Sequence, residues 1–172
     1  MSKKQWPTLA SRRSPNWAFM ERFEIPDYDH PERNYLTRWR IIQTPWFGWY
    51  LHRMDGPDSR STLHDHPWNF LSIILKGGYT EVVPDTHGGF LWEVRHTHRR
   101  TIGILNAKFA RDLHYIEFLH RTPTWTMVFT GRRTRVWGYL DEDGWTAFDT
   151  HRHAAEFDRA LAEREKIRGL GR

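Results

Sequence analysis

At 172 residues the chain has room for one domain with a real core and is too short for two comfortable ones. Ten Trp, ten Phe and six Tyr favour strands and dense packing over disorder, and the absence of cysteine excludes disulfides, thiolate metal sites and thiol catalysis together. The net charge of +5 is mild, with its excess in short clusters (Arg12-Arg13, Arg99-Arg100, Arg132-Arg133) that fit a small anionic substrate or weak nucleic-acid contact, but with no continuous basic helix or nucleic-acid motif a solvated surface rich in Arg is the favoured reading.

Residues 1–35 are broken by Pro7, Pro15, Pro26 and Pro31 and read as an irregular arm, with one short helical turn around residues 17–23. No window approaches the ~18 apolar residues of a membrane span, so no membrane partner is expected and the cytoplasm is the default compartment. From 36 to 149 the pattern changes to short runs of β-branched and aromatic residues. Strands are expected at 39–43, 46–53, 68–75, 79–83, 91–97, 101–105, 114–119, 124–130, 135–140 and 145–148, separated by turn signals such as Gly77-Gly78 and Asp143-Gly144. Many short strands at this spacing predict an all-β antiparallel sandwich or barrel. Residues 150–172 carry helix formers with Ala154, Phe157 and Leu161 at helical spacing, which predicts a C-terminal α-helix ending before Gly169.

Eleven histidines make chance pairs common, and three HxH patterns occur: His64-His66, His96-His98 and His151-His153. On a strand, side chains two apart share a face, so His64 and His66 can grip one ion. The last pair lies on the expected helix, where two positions separate the rings by about 200 degrees and preclude chelation.

The stretch LHDHPWNFLSIILKGGY, residues 63–79, resembles the first motif of the cupin superfamily: HxH, a glutamate four or five residues on, and a glycine closing the strand pair. His64, His66 and Gly78 match it, while Phe70 and Leu71 stand at the glutamate positions. The resemblance makes His114, in RDLHYIEFL, the candidate for the later histidine, without the proline and glycine that normally precede it. It implies a cupin-like double-stranded β-helix, a jelly-roll barrel, with a divalent metal inside on His64, His66 and His114. The three-histidine set is similar to that of the thiol dioxygenases, which favours Fe(II); three imidazoles also accept Mn, Co, Ni, Cu or Zn. The 2-oxoglutarate oxygenases use HxD or HxE, which occurs here only at His30-Pro31-Glu32 in the arm, so that cosubstrate is not expected. Cupins often pair, which makes a homodimer through the arm an expectation as well.

Around this set, Trp68, Phe70 and Phe118 are expected to line the cavity, with Trp68 against substrate. Tyr79 and His52 are candidates for proton transfer, and Arg132 and Arg135 for clamping an anionic group in two-point fashion. If His114 points inward, Ile116, Phe118 and His120 share its face, and Glu81 reaches the site only if the turn at Gly78 brings it back. His96 and His98, joined by His120, form the rival cluster. The expected function is a non-haem Fe(II) dioxygenase acting on a small anionic molecule. The alternatives are a cupin isomerase, epimerase or lyase, and a non-catalytic binding or accessory protein.

Overall fold

The computed structural model describes residues 17–58, 61–84 and 95–170. The alternating runs become strands in chain order: β1 (Ala18–Pro26), β2 (Asn34–Gln43), β3 (Gly48–Met54), β4 (Leu63–His64), β5 (Phe70–Lys76), β6 (Gly78–Pro84), β7 (Arg95–Thr101), β8 (Leu105–Lys108), β9 (Tyr115–Leu119), β10 (Thr124–Thr130), β11 (Gly138–Asp141) and β12 (Gly144–Ala147), followed by helix α1 (Arg152–Leu170). A six-stranded sheet runs β1-β2-β3-β10-β5-β8; two three-stranded sheets, β7-β6-β9 and β12-β11-β4, complete the other wall. Every pairing is antiparallel. This is the cupin-like double-stranded β-helix that the sequence led one to expect.

The walls meet in two apolar clusters. Leu36, Met54 and Ile74 of the large sheet pack against Tyr79 and Leu119, while Leu63, Val82, Tyr115 and Leu140 join the two small sheets. Between those clusters the inner face of the large sheet is unusually polar. Cross-strand neighbours carry it around: Arg38 lies opposite His52, His52 opposite Thr126, and Ser72 opposite Asn106. Polar groups enclosed in a barrel must find partners or serve a ligand, so this face marks where chemistry belongs.

Several local expectations change. Ala18–Pro26 is not a loose arm with a helical turn but a nine-residue strand registered on β2, because a neighbouring strand satisfies its backbone groups where the sequence shows no period. The expected strand at 101–105 instead spans the end of β7 and a turn at Gly103, with φ of 78°, and β8 starts at Leu105. Helix α1 runs through Gly169 to Leu170. Its Ala154, Phe157 and Ala160 are buried, and Arg164 and Arg168 tie it to the β1–β2 region through the carbonyls of Pro31 and Arg33 and the carboxylate of Glu24. Among the described residues no helix is long and apolar enough to cross a membrane. Residues 1–16 of the expected dimerising arm, and residues 91–94 of one expected strand, lie outside the described residues.

Between β5 and β6 a single residue, Gly77, makes the connection with φ of +82°, and a Cβ there would sit 2.4 Å from Thr124 Oγ1. Only glycine fits both the left-handed backbone and that approach. The tight turn carries the chain from β5 of the large sheet into β6 of the β7-β6-β9 sheet, where Glu81 faces the barrel interior.

Candidate metal centre

The HxH segment is anchored from behind. Leu63 and Asp65 point away from the histidines and are 0% and 2% exposed. Asp65 accepts hydrogen bonds from Gly138 N–H (2.8 Å) and Trp145 Nε1–H (3.0 Å) and pairs with Arg135 Nη1 (2.7 Å). In front, the backbones of His64 and His114 exchange two hydrogen bonds of 3.0 Å, and His66 N–H donates to Ala110 O at 3.0 Å. This main-chain pairing carries His114, 48 residues from His66, to the same spot.

The three imidazoles converge. One ligand nitrogen from each of His64, His66 and His114 lies within 4.8 Å of the others, and the Nε2 atoms of His66 and His114 are 2.7 Å apart. Ring centroids are 5.0 to 5.3 Å apart. Burial, with the charge of nearby His114 and against that of Asp58, pushes His64 down to about 4. Burial and the two neighbouring imidazoles hold His66 well below its ordinary range. Both rings are therefore neutral at pH 7 and offer lone pairs, which is the form a metal binds. His64 Nδ1 lies 3.3 Å from the Thr62 carbonyl, which orients its ring. Three imidazoles converging on one point fit a divalent transition metal and leave other coordination positions open.

Glu81 is not a ligand but stands directly behind one. Fully buried, it meets His114 Nδ1 at 2.7 Å, and it is surrounded by Lys108, Arg100 and Asn106. Burial alone raises its pKa, but the bond from His114 and the charges of His114 and Lys108 outweigh that and hold the carboxyl well below the usual range.

The barrel also holds a cation that local sequence pattern does not single out. Arg38, half-buried on β2, donates from Nε to His52 Nε2 at 2.9 Å and lies 5.5 Å from the Tyr50 ring centre. It has no carboxylate partner among the described residues, whereas its neighbour Arg40 is paired with Glu21 at 2.9 Å. His52 is kept neutral by burial and by the charge of Arg38, so it is an acceptor here. Trp68 stacks on Tyr50 with centroids 6.5 Å apart, two residues from His66. The Phe70 ring stands edge-on to His66 at 4.7 Å and belongs to a cavity of about 250 Å³ shared with Lys108 and Asn69.

The other expected residues divide. Tyr79 is buried, and its hydroxyl accepts a bond from Asn106 Nδ2 at 3.2 Å, so it reaches His114 only through Asn106 and Glu81. Arg135 is engaged by Asp65 and stacks on Trp145, which takes it away from a substrate role; Arg132 is exposed. Phe118, expected in the cavity, is 60% exposed, because the β6–β9 register slips between Thr80 and Glu81 and inverts the alternation past Glu117. In the rival cluster His98 is exposed and His120 meets Thr80 Oγ1 at 3.1 Å, while the His96 side chain lies outside the described residues.

His151 and His153 do not diverge as a helical pair would. His151 precedes the helix, so the two rings come within 4.4 Å of each other. Their nitrogens are engaged by Asp141, Glu156, Thr62 and the His153 backbone N–H, a buried polar knot at the start of α1.

No protein-family model and no curated protein sequence matches the chain. Its fold is similar to that of several solved structures. KdgF from Halomonas sp. matches with a TM-score of 0.43 at 16% identity over 71% of this chain and 91% of that one. A cupin 2 conserved barrel domain protein from Rhodopseudomonas palustris matches at 0.46 and 14%, over 63% and 69%. Hydroxypropylphosphonic acid epoxidase from S. wedmorenis matches at 0.45 and 11%, over 64% and 55%. Its own strand order, with the HxH pair and a later histidine meeting inside paired antiparallel walls, makes this chain a cupin-like β-barrel protein.

Proposed function

We propose that this protein is a metal-dependent enzyme acting on a small anionic molecule, with Fe(II)-dependent dioxygenation as the leading reaction. The observation that carries this reading is the joint presence, inside one barrel, of three converging imidazoles and a guanidinium without a carboxylate partner among the described residues. His64, His66 and His114 would hold the ion, and iron bound there supplies one-electron chemistry toward dioxygen. Arg38 presents its terminal N–H groups to a carboxylate or other oxyanion, with His52 accepting from Nε and the Tyr50 ring beneath fixing the fork. Trp68, stacked on Tyr50, and Phe70, edge-on to His66, place apolar rings beside these groups, and a lower local dielectric strengthens each charged contact. Lys108 and Arg100 add positive charge around Glu81, so the interior favours anions beyond what the metal contributes.

The test starts from elemental analysis of protein prepared without a histidine tag, wild type against His64→Ala and His114→Ala. Near-stoichiometric metal lost in both variants supports the site. Oxygen uptake by the Fe(II)-loaded protein is then screened over small carboxylates, with Arg38→Met as the substrate-binding control. A loss of one or two charge-assisted hydrogen bonds, each about 1.5–3 kcal/mol, predicts a KM raised at least tenfold in that control. Bound metal without oxygen uptake on any of these compounds moves the reading to an isomerase or lyase. Metal that is absent, or unaffected by both histidine substitutions, leaves a binding protein.

A further inference from the structure

Glu81 occupies a position whose role follows from counting its donors. Oε1 meets three: His114 Nδ1 at 2.7 Å, Lys108 Nζ at 3.0 Å and Asn106 Nδ2 at 3.2 Å. Oε2 takes the Arg100 fork, Nε and Nη2 each at 2.9 Å. With five donors around it and no exposure to solvent, the carboxylate cannot swing toward the three imidazoles without abandoning two cations. Whatever it does for a metal, it does through His114.

An ionised carboxylate only accepts, so the proton on that 2.7 Å contact belongs to His114 Nδ1, and Nε2, the nitrogen turned toward His66, is the one that can meet a metal. A histidine held this way has one tautomer, one ring orientation and a more basic donor nitrogen. Both cations pair directly with the carboxylate: Lys108 on β8 and Arg100 on β7 fix Glu81 on β6, the strand between β7 and β9. At the positions where the motif around His64 and His66 would carry a ligand glutamate, this chain has Phe70 and Leu71.

We infer that Glu81 is the positioning residue of the metal centre. It supplies from behind His114 the negative charge that a directly coordinating glutamate would supply, leaving the barrel side of the metal to three imidazoles and the substrate. This inference rests on the three-histidine reading, and the measurement is chosen to separate the two. Zn²⁺ affinity is determined by competition with a chromophoric chelator for untagged wild type, Glu81→Gln and Lys108→Met. Glutamine keeps one oxygen to accept from Nδ1 but loses the charge and the second acceptor oxygen, so Glu81→Gln should raise Kd about 10–100-fold. Lys108→Met removes a cation from the same carboxylate and should not raise it. A loss of packing would weaken both, so equal weakening in the two variants overturns the inference, as does a Glu81→Gln Kd within about twofold of wild type. Should Glu81→Gln fail to fold, the Glu81→Gln/Lys108→Met pair removes the opposite charges together and is read against Lys108→Met. Independently of any metal, ¹⁵N NMR of wild type should find His114 carrying a proton at Nδ1; a bare Nδ1 overturns the inference. Wild type that takes up no Zn²⁺ overturns the three-histidine reading instead, with the tautomer still deciding whether Glu81 orients His114.

Discussion

Replacing Asp65 tests whether the metal segment is held from behind. The carboxylate is 2% exposed and accepts from Gly138 N–H, Trp145 Nε1–H and Arg135 at 2.7 to 3.0 Å. In Asp65→Ala the first two donors lose their acceptor, at about 1–2 kcal/mol each. The Arg135 contribution is smaller, at most about 1 kcal/mol, because its side chain is 33% exposed and screened. The expected loss is therefore about 3–4 kcal/mol in unfolding free energy from urea titration, with weaker metal binding because Asp65 sits between His64 and His66. Asp65→Asn keeps one acceptor oxygen and should cost about half as much. Burial pushes the Asp65 pKa up from 3.8 despite its donors. The stability linked to this group is thus present below the unfolded pKa and declines as pH rises through the folded one, so acid should not loosen the anchor. A loss below about 1 kcal/mol for Asp65→Ala, or one that shrinks on acidification, would refute the argument.

Two further tests are independent of that one. His64 titrates at about 4 in the fold against 6.5 unfolded, so the unfolded chain takes the proton first: metal-free protein should be fully stable above pH 6.5 and lose on the order of 3 kcal/mol toward pH 4. Urea midpoints at pH 7 and pH 4.5 check this, and the difference should shrink in His64→Gln. Gly77→Ala combines a left-handed backbone with a Cβ 2.4 Å from Thr124 Oγ1 and should lower stability by more than about 2 kcal/mol, whereas Gly103→Ala, at φ +78° with open space around it, should cost about 1 kcal/mol. Equal melting temperatures for the two variants would count against the close approach at Gly77.

How much is legible from residues alone differs from element to element. The run TWTMVFT alternates cleanly and is bounded by turn signals, and β10 covers the expected residues 124–130. The strand at Ala18–Pro26 has no such period; its backbone is satisfied by β2, a neighbour that local pattern does not announce. Phe118 turns outward because one register slip reverses the facing of everything beyond it, and bulges leave no reliable trace in composition. His151 and His153 have the spacing of a diverging helical pair, yet the helix begins at Arg152, and that boundary decides whether the rings part or meet.

The same division runs through the site. His64 and His66 are identifiable because two imidazoles at strand spacing share a face, and His114 because a family motif calls for a later histidine; local rules and short motifs survive without coordinates. Arg38 and Glu81 do not stand out in the sequence, because what distinguishes them is relational: one of many arginines that lacks a carboxylate partner among the described residues, and one of many glutamates with five donors around it. Composition and spacing by themselves pointed to an antiparallel all-β sandwich or barrel without thiolate ligands, and the resemblance to a family motif narrowed this to a barrel around histidines. Which charged side chains face inward, and whether each has a partner there, depended on register and on contacts between residues far apart in the chain, and these arise only when the strands close around a common interior.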